Sequence, residues 1–96
     1  MTASRLPDSM DLGHGVTAVW LMKDDERIGL LESHDCAEGM LGTGSVIFDV
    51  PAAHVARPDG PFWRVESWEP LTISPSVACR NCSNHGWIRN GEWVPA

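Results

Sequence analysis

The sequence predicts a mainly β domain, built as a small antiparallel sheet or open barrel and ending in a β-hairpin. Short runs of β-branched and aromatic residues recur between turn residues, which is typical of strands. Near the C-terminus, Asn90-Gly91 separates two such runs and favours a two-residue type I′ turn. Just before that hairpin, soft metal donors lie at two consecutive three-residue steps, Cys79, Cys82 and His85.

The N-terminal half predicts an arm followed by one hairpin. Residues 1–15 contain too few apolar positions at a fixed period to define an element, so we expect an extended N-terminal arm. Residues 16–22 predict a strand, residues 23–26 a polar turn, and residues 27–32 the returning strand. A single domain over residues 16–96 is therefore expected.

The C-terminal half predicts further short strands. Residues 45–50 indicate a buried strand stopped by Pro51, which could start a short helix. Residues 63–68 alternate large apolar and polar side chains, and residues 71–73 form another short apolar run. The last hairpin has a defined register, because its turn sets Arg89 opposite Glu92, Ile88 opposite Trp93 and Trp87 opposite Val94.

Size and charge limit the classes of function. A chain of 96 residues can build only a marginal core, so a cross-link such as a bound metal would help it to fold. Three cysteines cannot all pair, and no apolar run reaches the ~20 residues that cross a bilayer, so we expect no membrane partner and an intracellular protein. The formal net charge of −6 disfavours binding to a nucleic-acid backbone.

The cysteine and histidine donors predict a structural zinc site, a zinc knuckle. Polar residues flank Cys79, Cys82 and His85, which indicates a turn that can wrap one ion. The remaining cysteine, Cys36, is the preferred fourth ligand, because a thiolate suits structural zinc. His34 is the alternative, since His34 and Cys36 with Cys82 and His85 would form a complete site without Cys79.

A zinc held by four protein ligands has no open position, so the preferred ligand set predicts no catalysis. If water took one position, an acidic neighbour such as Glu32, Asp35 or Glu38 could act as a general base in a metal-dependent hydrolase. No serine stands in a recognisable arrangement with a histidine and an acid, so we expect no enzyme.

The five tryptophans are Trp20, Trp63, Trp68, Trp87 and Trp93, and all lie in predicted strands. Core packing accounts for most of them, because large rings fill the thin interior of a small sheet protein. A tryptophan left exposed would favour a protein partner, which is therefore more plausible than a nucleic acid.

Residues 71–77, followed by residues 82–91, carry a Leu-Thr-Ile-Ser-Pro-Ser stretch, a Cys-x-x-His step and an Ile-Arg strand that enters a hairpin. This pattern resembles a family of small uncharacterised proteins common in actinobacterial phages. His34-Asp35-Cys36 is similar to the upstream donor pair of many members, which supports zinc and raises His34 as a ligand. The resemblance implies a phage origin, and therefore the cytoplasm of a bacterial host, but it supplies no established activity to carry over.

These observations together predict a zinc-stabilised structural or protein-interaction module, phage-encoded and associated with a virion or capsid. Its partners would be other virion subunits, and a homo-oligomer is compatible with this role. The alternatives are a metal-dependent hydrolase and a nucleic-acid-binding zinc module. An open coordination site would favour the first alternative, and a basic groove beside exposed tryptophans would favour the second.

Overall fold

The computed structural model describes residues 9–36 and 39–96. This part of the chain is mainly β, with antiparallel sheets and no closed barrel, which confirms the predicted fold class. The elements in chain order are β1 (Met10–Gly13), β2 (Val16–Lys23), β3 (Glu26–Asp35), β4 (Leu41–Ile47), α1 (Pro51–Ala56), β5 (Arg64–Trp68), β6 (Leu71–Ser74), β7 (Val77–Ala78), β8 (His85–Arg89) and β9 (Glu92–Pro95).

The first sheet has four strands in the order β1-β2-β3-β4. The predicted hairpin forms its centre, because β2 and β3 pair around a turn in which Asp24 has a φ of 55°. The second half of the predicted N-terminal arm is strand β1, which pairs with β2, whereas residues 1–8 lie outside the described residues. The C-terminal end of β3 carries His34, opposite Gly42 of β4.

The C-terminal half forms a two-stranded sheet, β5-β6, and a three-stranded sheet, β7-β8-β9. The predicted register of the last hairpin is confirmed, since Arg89 pairs with Glu92, Ile88 with Trp93 and Trp87 with Val94. Asn90 and Gly91 have φ values of 52° and 75°, as a type I′ turn requires. Strand β7 has only two residues and pairs with the start of β8.

The inward faces of the sheets share one apolar core. Its largest fully buried side chains are Phe48, Leu30, Ile73 and Ile88. Trp68 packs edge-on against Phe48, with ring centroids 5.4 Å apart, yet it remains 41% exposed. Core packing therefore explains only part of the tryptophan content.

The backbone of Trp63 connects the sheets. Its N–H donates to the Ile47 carbonyl at 2.7 Å, and its carbonyl accepts from the Asp49 N–H at 2.8 Å, so it forms a parallel bridge beside the end of β4. Helix α1 begins at Pro51, as predicted. No helix in the described part of the chain has the length and apolar character needed to cross a membrane.

Candidate functional site

Four soft donors meet where the end of β3 approaches the loop between β7 and β8. They are His34, Cys36, Cys79 and Cys82, and their ligand atoms all lie within 4.8 Å of one another. The Sγ atoms of Cys36 and Cys79 are 3.6 Å apart, and the Cys82 Sγ lies 3.5 Å from the His34 Nε2. Donors bound tetrahedrally at ~2.3 Å for sulfur and ~2.0 Å for nitrogen would be about 3.5 to 3.8 Å apart. These two distances match the spacing of ligands on a zinc-sized ion, and the four side chains form a candidate metal site.

The histidine of this cluster is held by a buried carboxylate. The His34 Nδ1–H donates to Glu32 Oε2 at 2.8 Å, and the two side chains are 3% and 4% exposed. Burial is the largest single influence and lowers the His34 pKa, but the hydrogen bonds to Glu32, Cys79 and Cys82 and the charge of Glu32 together raise this pKa to about 9. Burial also raises the pKa of Glu32. A carboxylate that binds one ring nitrogen leaves the other, Nε2, directed at the metal position.

The pKa of the Cys79 thiol is lowered, as suits a metal ligand. The Asn81 backbone N–H, 3.4 Å from the Cys79 Sγ, is the main cause that lowers the pKa of this thiol to about 6. Further hydrogen bonds to His34 and the other two cysteines act in the same direction. The thiolate, which is the metal-binding form of cysteine, is therefore favoured at neutral pH.

A glycine provides the space beside the cluster. A Cβ atom on Gly42 would lie 2.8 Å from the His34 Nε2 and 2.9 Å from the Cys36 Cβ. Only a residue without a side chain allows β4 to approach the donors this closely.

The donor set differs from the preferred one, Cys36, Cys79, Cys82 and His85, at one position. The structure brings His34 together with all three cysteines, whereas His85 lies outside the cluster. The reason is that the His85 ring projects from the exposed face of β8, where its Nε2 lies 2.9 Å from the Ser76 Oγ. The alternative ligand set of His34, Cys36, Cys82 and His85 does not come together either, because it also contains His85.

The serine and histidine meet because of strand register. In the β7-β8 pair, Ala78 lies directly opposite His85, and Val77 lies opposite Gly86. Ser76 precedes β7 by one residue, so by alternation its side chain shares the face of Ala78 and His85 and is diagonal to His85. The small Ala78 side chain leaves room for the imidazole to lean toward Ser76. The opposite face, with Val77 and Gly86, is buried.

The serine–histidine pair and the donor cluster share one loop. Cys79 and Cys82 lie between Ser76 and His85, three residues from each. The Ser76 carbonyl accepts a hydrogen bond from the Trp63 Nε1–H at 3.2 Å. The segment that contains Ser76 is thus bound by Trp63 on one side and continues into the loop that carries Cys79 and Cys82.

A hydroxyl hydrogen-bonded to an imidazole on an exposed face is the arrangement that serine hydrolases use to activate a nucleophile. Residues 3–96 match the model of a family described as "Bacterial ubiquitination-like system serine protease (BubE)". The chain belongs to the BubE family. No curated protein and no solved structure matches the chain.

Membership of the BubE family corrects two predictions. The family is described as a serine protease, so the prediction of a structural virion or capsid module is wrong, and so is the prediction that the chain is not an enzyme. The metal-dependent hydrolase is not supported in its stated form, because four protein donors leave no open position. Of its suggested bases, Glu32 binds His34, Asp35 is exposed, and Glu38 lies outside the described residues.

The contact between Ser76 and His85 was not predicted from the sequence. It depends on the pairing of Ala78 with His85 in the two-residue strand β7, which is too short to be recognised from its sequence. The Cys-x-x-His step instead favoured His85 as a fourth metal ligand, because that spacing is common in zinc sites.

Proposed function

We propose that the chain is a serine protease in which Ser76 is the nucleophile and His85 is the general base. The observation that carries this proposal is the 2.9 Å distance between the His85 Nε2 and the Ser76 Oγ. The description of the BubE family as the serine protease of a bacterial ubiquitination-like system supports the reaction type. Among the described residues, the His85 ring makes no hydrogen bond to a carboxylate, so the pair acts as a dyad.

The reaction follows from the position of the two groups. As the Ser76 Oγ attacks the carbonyl carbon of the peptide bond, its proton passes to the His85 Nε2. The imidazolium then gives this proton to the leaving amine, and the C–N bond breaks to leave an acyl group on Ser76. Water then attacks the ester carbonyl while His85 takes one of its protons. The ester C–O bond breaks to release the second product, and His85 returns the proton to the Ser76 Oγ.

The position of the dyad suits a polypeptide substrate. His85 is exposed, and its side chain borders a cavity of about 440 Å³ that also contacts Trp93 and the C-terminal residues. Ser76 is half-buried on the same face as His85. A protein segment can therefore reach the hydroxyl without passing through the core.

In this proposal, zinc is structural and is held by His34, Cys36, Cys79 and Cys82. Mixed sulfur and nitrogen donors with a histidine backed by a carboxylate favour this ion. A bound zinc supplies charge neutralisation for the thiolates and fixes the loop from Cys79 to Cys82. The two ends of that loop lead to Ser76 and His85, so the loop sets the geometry of the dyad.

Labelling with a fluorophosphonate tests the nucleophile. This reagent phosphonylates an activated serine, with loss of fluoride, and requires no knowledge of the natural substrate. We expect intact-protein mass spectrometry to show one adduct, and peptide mapping to place it on Ser76. Ser76→Ala should abolish the adduct, and His85→Gln should slow its formation by about 100-fold or more.

Ser74→Ala is the matched control, because Ser74 lies two residues away on the other side of Pro75. It should be labelled at the rate of the unaltered protein. Equal labelling of the Ser76→Ala variant, or loss of the adduct only in Ser74→Ala, would overturn the assignment.

A further inference from the structure

A groove lies beside the proposed nucleophile, between two strand edges. Its cavity has a volume of about 260 Å³. One wall is β4, from Thr43 to Val46. The other wall runs from Val77 to Asn81 and consists of β7 and the start of the loop that carries Cys79 and Cys82. Trp63, whose indole binds the Ser76 carbonyl, also lines it. The groove therefore begins next to Ser76.

The β4 wall presents backbone groups that β3 does not use. The Phe48 N–H donates to the Ile28 carbonyl at 2.8 Å, which makes residues 28 and 48 a hydrogen-bonded antiparallel pair. Such pairs alternate along the ladder, so the N–H and C=O groups of Thr43 and Ser45 point away from β3. Ile47 lies two residues after Ser45, so its backbone groups point the same way. Its carbonyl indeed accepts a hydrogen bond from the Trp63 N–H at 2.7 Å on the side away from β3.

The β7 wall also has backbone N–H and C=O groups that point away from its neighbouring strand. The Cys79 N–H donates to the Asn84 carbonyl at 2.9 Å, so Cys79 and Asn84 form a hydrogen-bonded pair. By alternation, the N–H and C=O groups of Ala78 and Ser76 point away from β8. The Ser76 carbonyl confirms this direction, because it accepts from Trp63 on that side.

Both walls are edge strands in the described part of the chain. There β4 pairs only with β3, and β7 pairs only with β8. An unpaired strand edge is a template for another strand. The side chains on β4 are small, over Gly42-Thr43-Gly44-Ser45, and leave the backbone open to a second chain.

We propose that this groove binds the substrate as an extended peptide, which adds to the β4 edge through Thr43 and Ser45 and to the β7 edge through Ala78. Main-chain hydrogen bonds then provide affinity and register, and the scissile carbonyl lies at Ser76, where the β7 edge begins. The substrate class is an unfolded or extended segment of a protein, not a folded surface. This inference rests on the proposed function, since the peptide is the one that Ser76 cleaves.

Replacing Ser45 by proline tests the β4 edge. Ser45→Pro removes an outward N–H without removing a hydrogen bond to β3, and proline is tolerated at edge positions of this kind. A library of short, internally quenched peptides is the substrate probe. We expect kcat/KM to fall about tenfold through KM, whereas the rate of fluorophosphonate labelling of Ser76 is unchanged. Ser45→Ala, which keeps the N–H, is the matched comparison, and its kcat/KM should fall much less than that of Ser45→Pro.

A second measurement leaves the protein unaltered. Single N-methyl groups are placed along a cleaved peptide, each of which removes one donor. Because a strand directs successive N–H groups to opposite sides, the proposal predicts that cleavage is reduced with a period of two residues over the bound segment. This test applies even if Ser45→Pro does not fold.

The outcomes separate this inference from the proposed function. If the protein is labelled at Ser76 but cleaves no peptide of the library, the proposal of peptide binding in the groove is wrong, whereas the assignment of Ser76 as nucleophile is unaffected. Normal cleavage by Ser45→Pro, with N-methyl effects that are absent or do not alternate, would also overturn it. Absence of labelling at Ser76, with no cleavage, would overturn the proposed function itself.

Discussion

Glu32 Oε2 accepts the Nδ1–H of His34 at 2.8 Å within the buried part of β3. The two residues are separated by one position, so both side chains project from the same face of the strand. This pair fixes the orientation of the imidazole before any ion binds. It makes the carboxylate part of the proposed metal centre, although Glu32 is not one of the four donors.

Glu32→Gln should weaken zinc binding by about 10- to 100-fold. The amide keeps the size of the side chain but makes a weaker hydrogen bond to His34 than a carboxylate does. Competition with a chromogenic chelator would measure the affinity. Glu66→Gln, on the exposed face of β5, is the control and should bind zinc as the unaltered protein does.

Gly42→Ala should impair the metal site through sterics alone. Its Cβ would lie 2.8 Å from the His34 Nε2, so β4 or the imidazole must move. We expect a zinc content below one ion per chain and a free energy of unfolding lower by about 1–3 kcal/mol. Thr43→Ala, at the neighbouring exposed position, should retain the ion, and full zinc occupancy in Gly42→Ala would refute the predicted crowding.

Trp63→Phe should slow catalysis without unfolding the protein. Phenylalanine keeps an aromatic ring but removes the N–H that binds the Ser76 carbonyl at 3.2 Å. Loss of one such hydrogen bond predicts a kcat about two- to tenfold lower, with little change in KM. Trp68→Phe is the control, because Trp68 packs on Phe48, whereas Trp63 binds the Ser76 carbonyl. Equal effects of the two variants would argue against a positioning role.

Removal of zinc should destabilise the whole domain. The donors come from the end of β3 and from the loop before β8, so an ion bound to them would join the two halves of the chain. We expect a chelator to lower Tm by about 10 °C or more, and added zinc to restore it. A Tm that does not respond to chelation would show that the ion has no structural role.

Much of the fold was predictable because it depends on local signals. Asn90-Gly91 specified both the turn and the register of the last hairpin, since a two-residue loop leaves one alignment of its strands. The strand pattern of residues 16–32 likewise predicted the central hairpin of the first sheet. Strand β7 was not predicted, because two residues after a proline are too short to show any period.

The site was only partly predictable, because its contacts depend on register across a loop. The Cys-x-x-Cys step and Cys36 were recognised as donors, but the sequence does not reveal whether His34 or His85 faces the ion. That choice depends on the pairing of Ala78 with His85, which turns the His85 ring toward Ser76. The predicted protein partner and homo-oligomer remain predictions.

The most direct test of the central claim is the rate of fluorophosphonate labelling at Ser76, measured with the zinc-loaded protein and after chelation. In our proposal, a metal-bound loop keeps His85 next to Ser76. We therefore expect one adduct on Ser76 in the zinc-loaded protein, much slower labelling after chelation, and recovery when zinc is returned. An adduct on another residue, or labelling of Ser76 at the same rate without zinc, would contradict it.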